Sequence, residues 1–260
     1  MMFALRPVSR WLDHVTDVLF AILLFSQLVK YCKADKPFNC AGGSIYFVAH
    51  PVDTLLYQSP DIYHDFYVYK CVTTVVFTTG DRGLDGNFTN SLERGLQAAY
   101  AFMAGVEEKE ATWDEDKVEV GDKKVLLRSL NKAPNVQVIY LRLPGGKPDG
   151  QGFDSNHGET LKKLYQGSFM TVTTTDEATT YTLEQLRAVI SGILKQRKAV
   201  DIRIMDKTAA IAKDNQKECE HADHSTSARI VSDVIAQDEI EGKVLRWASS
   251  ERISTIAYIE

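Results

Sequence analysis

At 260 residues, the chain has the length of one ordinary α/β domain with a single sizeable core. Its net charge of −5, with no Lys/Arg cluster, excludes a nucleic-acid footprint, and 44% hydrophobic with 25% charged residues is a normal globular composition. Cys32, Cys40, Cys71 and Cys219 form no CxxC pair, which excludes a cysteine-built zinc site.

The chain opens with Arg6 and Arg10, followed by a mostly apolar run over 18–29 (VLFAILLFSQLV). That run is short for a membrane span and suits the apolar core of a signal peptide. Residues 1–34 are therefore read as a signal peptide or a signal anchor, with an ordinary amphipathic helix as the third reading; Ala34 offers a small residue for cleavage. Residues 35–260 form the folded domain. This places the body in the secretory pathway, either extracellular or held at a membrane by the apolar run. Two features agree. Asn87-Phe88-Thr89 is a glycosylation acceptor. Cys40 and Cys71 each precede an apolar strand, and the two strands are expected side by side, so a disulfide fits an oxidising compartment.

Residues 44–49 (SIYFVA) have strand length and strand composition, and they stop at His50-Pro51. Proline suits the first turn of a helix, so the order is strand, sharp turn, helix. His50 and Asp53 lie three apart and face one point in a helical turn. Residues 61–69 (DIYHDFYVY) finish that first helix, with His64 and Asp65 in surface or capping roles. A second strand over 72–78 runs into the glycine-rich loop 80–86, which carries Asp81 and lacks the spacing of a nucleotide-binding fingerprint. A helix follows over 91–104, with Leu92, Leu96, Ala99 and Met103 at helical spacing. Glu93 and Arg94 stand in its first turn.

Residues 107–116 are acidic and solvated. Residues 117–120 and 124–127 flank Gly121-Asp122-Lys123 as a hairpin, and 135–143 is a third main strand ended by Pro144. The loop 145–158 is rich in glycine and suits a binding rim or a lid; its His157 is a minor candidate for an extra ligand. Thr182 to Gln185 reads as a capping box opening a helix, and 201–205 as a strand that ends at Asp206 near the site. The βαβ alternation predicts an α/β, Rossmann-like fold: a mostly parallel sheet with helices on both faces.

A polar loop over 207–220 leads to Glu220-His221-Ala222-Asp223-His224, again with two histidines three apart before an apolar helical pattern. Two short His/Asp clusters, each ahead of a helix, supply the ligand types of a three-ligand catalytic zinc site. Cys219, beside the second cluster, is a candidate thiol near the metal or a plain loop cysteine.

The chain resembles the LmbE-like / GlcNAc-phosphatidylinositol de-N-acetylase family, in a secreted-looking fungal and actinobacterial branch. The residues that carry the resemblance are Ala49-His50-Pro51-Val52-Asp53-Thr54 against A-H-P-D-D-E/D, and His221-Ala222-Asp223-His224 against H-x-D-H. Val75 to Asp81, Ala98 to Val106 and Val138 to Pro144 extend it, so that it covers about 40–246. It implies a Rossmann-like fold and zinc-dependent removal of the acetyl group from an N-acetyl-amino-sugar glycan or glycolipid. His50, Asp53 and His224 match its metal ligands, and His221 matches its histidine for the tetrahedral intermediate or leaving amine. Arg94 stands near an arginine that contacts substrate in many relatives. Val52 replaces the aspartate that acts as general base, and Thr54 replaces the acidic residue at the motif's end. The family domain extends further than this chain, so a terminal strand is expected to be missing.

The leading expectation is therefore a Zn2+-dependent de-N-acetylase in which Asp81 or Asp223 must serve as base, Asp223 also suiting the orientation of a histidine. A non-catalytic zinc- and glycan-binding relative is the alternative, and an unrelated α/β protein the third reading.

Overall fold

The computed structural model describes residues 38, 40–68, 71–84, 86–216 and 220–246. The expected leader, Cys219 and the tail after Trp247 lie outside them.

Strand β1 (Ser44–Val48) is buried along its whole length. It pairs in parallel with β2 (Val72–Thr78), which pairs in parallel with β5 (Ala133–Leu143). On its other side β1 pairs in parallel with β8 (Asp201–Ile204), and β8 with β9 (Lys243–Arg246). The expected hairpin is present as β3 (Trp113–Val120) and β4 (Lys123–Leu130), turning at Gly121 and joined antiparallel to β5. The sheet order is thus β3-β4-β5-β2-β1-β8-β9, mostly parallel as predicted. A separate small ribbon pairs β6 (Val172–Thr173) with β7 (Thr180–Tyr181).

Strand alternation feeds two cores, one on each face. Ile45, Phe47, Val75 and Phe77 point to one face, covered by helix α5 (Leu183–Arg197), by α6 (Ala222–Gln237) and by the short α4 (Leu161–Tyr165). Tyr46, Val48, Val72 and Val76 point to the other, covered by α2 (Asp61–Val68) and α3 (Gly86–Met103). The helix α5 opens on the predicted capping box, with Thr182 and Gln185 each bonding the other's backbone N–H.

Three expectations need correction. The first helix is two, α1 (Asp53–Tyr57) and α2, interrupted at Ser59-Pro60, where the ring removes a backbone donor. Helix α3 starts at Gly86, well before residue 91. Asp65 is buried, not a surface residue: its carboxylate accepts from the Tyr46 hydroxyl at 2.5 Å and meets Arg203 Nε at 3.3 Å. A further parallel strand, β9, pairs with β8 at the edge of the sheet.

Cys40 and Cys71 are joined in a disulfide, with Cα atoms 5.7 Å apart, because both lie at the amino ends of the neighbouring strands β1 and β2. Arg197 is buried beside them and clamps the same segment, donating to Cys40 O, Gly42 O and Thr73 Oγ1.

Candidate metal centre

From β1 the chain proceeds outward on one side to β2 and later β5, then returns to the other side of β1 for β8. The order reverses at β1/β8, and open α/β sheets bind ligands at the carboxyl ends of strands at such a point. His50 follows β1 by two positions, and the loop that leaves β8 ends at His221, the N-cap of α6. Two clusters 168 residues or more apart in sequence, counting Asp53 to His221, therefore meet because their strands are neighbours.

His50 Nδ1 lies 3.2 Å from His224 Nε2 and 3.4 Å from Asp53 Oδ2. His224 Nε2 lies 3.4 Å from Asp53 Oδ1. Ligand atoms about 2.0–2.2 Å from a tetrahedral zinc are separated by roughly 3.3–3.6 Å. The two rings meet different oxygens of Asp53 at such spacings, and one ligand atom from each residue lies within 4.8 Å of the others, so the three residues fit the group. The outer partners fit it too. Glu220 Oε1 is 2.6 Å from His224 Nδ1, and Asp223 Oδ2 is 3.3 Å from His50 Nε2. Each carboxylate fixes a proton on the outer ring nitrogen and leaves the inner lone pair for a metal. The backbone N–H of His50 donates to Asp53 Oδ2 at 2.7 Å and holds that carboxylate in place.

The charges follow from this packing. Burial alone would lower the His50 ring, but the carboxylates of Asp53 and Asp223 outweigh it and raise it to about 10. Burial likewise opposes a charge on His224, and Asp53 and Glu220 raise it to about 9. Burial would raise Asp53, and the two histidines hold it well below the usual carboxylate range instead. His221 goes the other way, pushed down to about 4 by burial and by the cationic rings beside it, against the pull of Asp223 and Asp53. Its Nδ1 accepts the Asp223 N–H at 3.2 Å, so the neutral ring carries its proton on Nε2. The His221 and His50 rings meet edge to face, 4.7 Å between centroids.

A cavity of about 480 Å³ opens over the cluster, lined by His50, Asp53, His221 and His224 and by a largely apolar wall that includes Val52. Thr54 is buried beneath it and receives the Tyr100 hydroxyl at 2.9 Å, tying α1 to α3.

Four sequence candidates, Asp81, Arg94, His157 and Asp206, do not line the cavity. Asp81, a candidate base, does not line the cavity. Its Oδ1 accepts from Gly145 N–H and Thr79 Oγ1, and its Oδ2 from Gly83 N–H and Asn156 Nδ2, so both oxygens are committed to holding loops together. Asp223 is buried and does not line the cavity; its Oδ2 is held by Gly146 N–H and the His50 ring, and its Oδ1 has no hydrogen-bond partner. Arg94 is exposed over a separate depression with Gln97, Phe102 and Trp113. It stands two residues from Leu92, about 200° around the helix, and Leu92 is the one that lines the cavity. The arginine that lines the cavity is Arg82. His157 is exposed and Asp206 caps its own turn through Thr208; neither belongs to the His/Asp clusters. Sequence reasoning missed Glu220, although its place four residues before His224 was a readable signal.

No protein-family model and no curated protein matches the sequence. Among solved structures, the chain is similar to N,N'-diacetylchitobiose deacetylase from Pyrococcus horikoshii, complexed with its inhibitor MPG, at 12% identity and a TM-score of 0.41. The match covers 90% of this chain and 61% of that one, so the chain spans less than two thirds of that protein's length. A likeness this distant carries no argument about chemistry, which rests on the residues themselves.

Proposed function

We propose that the protein is a zinc-dependent amide hydrolase of the LmbE-like de-N-acetylase kind, acting on an N-acetyl-amino-sugar glycan or glycolipid. The observation that carries this reading is the triangle of His50, Asp53 and His224, with a carboxylate behind each histidine, at the floor of an open cavity. A zinc ion held there supplies a Lewis acid for the amide carbonyl and lowers the pKa of water.

The chain's own residues supply the rest. Hydrolysis breaks the C–N bond, the acyl carbon gains the water oxygen and leaves as carboxylate, and the amine departs with a proton. His221, neutral and protonated on Nε2, donates a hydrogen bond as charge develops on the carbonyl oxygen, and the departing amine takes the proton that the attacking water gives up. Asp223 and Glu220 hold the two ligand histidines in register. Arg82 offers a cation for an acidic or hydroxyl-bearing part of the substrate.

Asp53 is the only carboxylate among the described residues that line the cavity. With Val52 at the place of the family's base, a contribution of about 10²–10⁴-fold is missing, and turnover is slow. The same observation favours a second reading, a zinc-holding glycan-binding protein without activity. Residues 35–260 form the functional domain in either case, delivered to the secretory pathway by residues 1–34, as the Cys40–Cys71 disulfide and the exposed acceptor Asn87 support. Metal analysis of the purified protein, with acetate release measured over a panel of N-acetylglucosaminyl compounds, tests this. Zinc with acetate release is the expected result. Zinc without acetate selects the binding reading, and absence of both overturns the proposal.

A further inference from the structure

Leu56, Phe88 and Leu92, which line the cavity over the metal cluster, have no use in the chemistry above. Outside the cluster, the described lining residues with polar side chains are Tyr57, Arg82 and His221. That is few for the hydroxyls of a sugar ring, each of which needs a partner when removed from water. The remaining side chains are apolar. Val52 and Leu56 sit at the start and on the first turns of α1 with 37% and 59% of their surfaces exposed, turned to the cavity instead of to either core. Phe88 and Leu92 face them from α3, four residues apart and hence on one side of that helix. An apolar wall of this kind is costly to leave wetted and fits an apolar part of a ligand.

Position decides which part. Val52 lies between His50 and Asp53 in the chain, so the wall begins at the metal cluster. The acyl carbon is the atom that must reach that cluster, and its own substituent is the one that leads onto the wall. Resting on the amide-hydrolase reading, we infer that the site accepts N-acyl groups longer than acetyl and prefers them, with Val52, Leu56, Phe88 and Leu92 as the specificity-determining residues. An acetyl methyl reaches only the first of these. A chain of about six carbons reaches along them, while the amine side keeps Arg82 and His221.

The experiment uses the zinc-loaded full chain with N-acetyl-, N-butanoyl- and N-hexanoyl-glucosamine. Amine release is read as kcat/KM, and binding is read separately by calorimetry. Each methylene buried is worth up to about fourfold, which sets a ceiling near 10²-fold for four. The expected rise from acetyl to hexanoyl is about tenfold or more in both readouts. Leu92→Ser should flatten it; so should Leu56→Ser, whose site is exposed enough that folding is preserved. Turnover that is flat or falls with chain length overturns the inference and leaves the hydrolase reading standing. If no compound is turned over, that reading falls and calorimetry decides. Tighter binding of the hexanoyl compound then supports the wall as an acyl site, and equal or weaker binding overturns it. A gain seen only with an alkyl glycoside of N-acetylglucosamine also overturns it, since the apolar group would then lie on the sugar's other end.

Discussion

Glu220 Oε1 lies 2.6 Å from His224 Nδ1, on the ring edge opposite the nitrogen that meets Asp53. The contact is buried and reaches from the residue before the N-cap His221 into the first turn of α6. It fixes the tautomer that leaves Nε2 free to bind a metal. Glu220→Ala should weaken zinc affinity by about 10–100-fold, measured by chelator competition. Glu220→Gln, which retains an acceptor oxygen, should lose less. Equal affinity in all three proteins would remove Glu220 from the site.

Zinc uptake should be strongly pH-dependent. His50 and His224 are raised to about 10 and about 9 in the metal-free protein, so at neutral pH the pair holds protons that a metal must displace. The sign is then fixed: affinity rises with pH until the folded-state values are passed, and falls as pH drops below them. Calorimetry at pH 7 in buffers of different ionisation enthalpy should show release of about one to two protons per zinc. No proton release would mean that the rings are neutral and the metal-free cluster is not charged as described.

Asp81 serves architecture. Asp81→Ala strands two backbone N–H groups, the Thr79 hydroxyl and the Asn156 amide that now share its oxygens. The loss should be about 3 kcal/mol of stability in urea unfolding, from charged hydrogen bonds removed and donors left buried. Zinc per folded chain should not change. A folded Asp81→Ala protein with wild-type stability and no activity would return Asp81 to the chemistry.

Val52→Asp is the variant that speaks to catalysis. The position is partly exposed and lines the cavity, so a carboxylate there is solvated and the cost to the fold is small. Acetate release should rise by about 10²-fold or more at equal zinc occupancy. A folded, zinc-loaded variant with no gain would count heavily for the binding reading.

Much of this was legible in the residues. A strand ending at His50-Pro51 and a capped helix after His221 are local signals, and parallel pairing of their strands follows from βαβ alternation. The rest depended on direction in space. Arg94 and Leu92 are neighbours in sequence and point to different sides of α3, so no reading by proximity could choose between them. Asp65 resembles a helix-surface carboxylate until Tyr46 and Arg203 arrive from β1 and β8 to bury it. Strand β9 is a short edge strand beginning in lysine, a composition that guards sheet edges and equally suits a tail. The break between α1 and α2 was marked by Pro60, and aromatic content on both sides concealed it.

The loop after β5 bears on how a ligand arrives. Gly146 N–H is bonded to Asp223, Pro148 O receives Ala222 N–H, Gly145 N–H is bonded to Asp81, and Lys162 Nζ holds Asp149 O. A methyl group at Gly150 would overlap Lys162 and Ala222, so the loop lies directly on the start of α6. To swing this loop outward would strip Asp223 of a hydrogen bond and turn the His50 ring out of register. It is therefore a fixed wall and no door. The rim that carries Leu56 on α1 and Arg82 in the glycine loop is exposed instead, and bulk added at either residue would narrow the cavity.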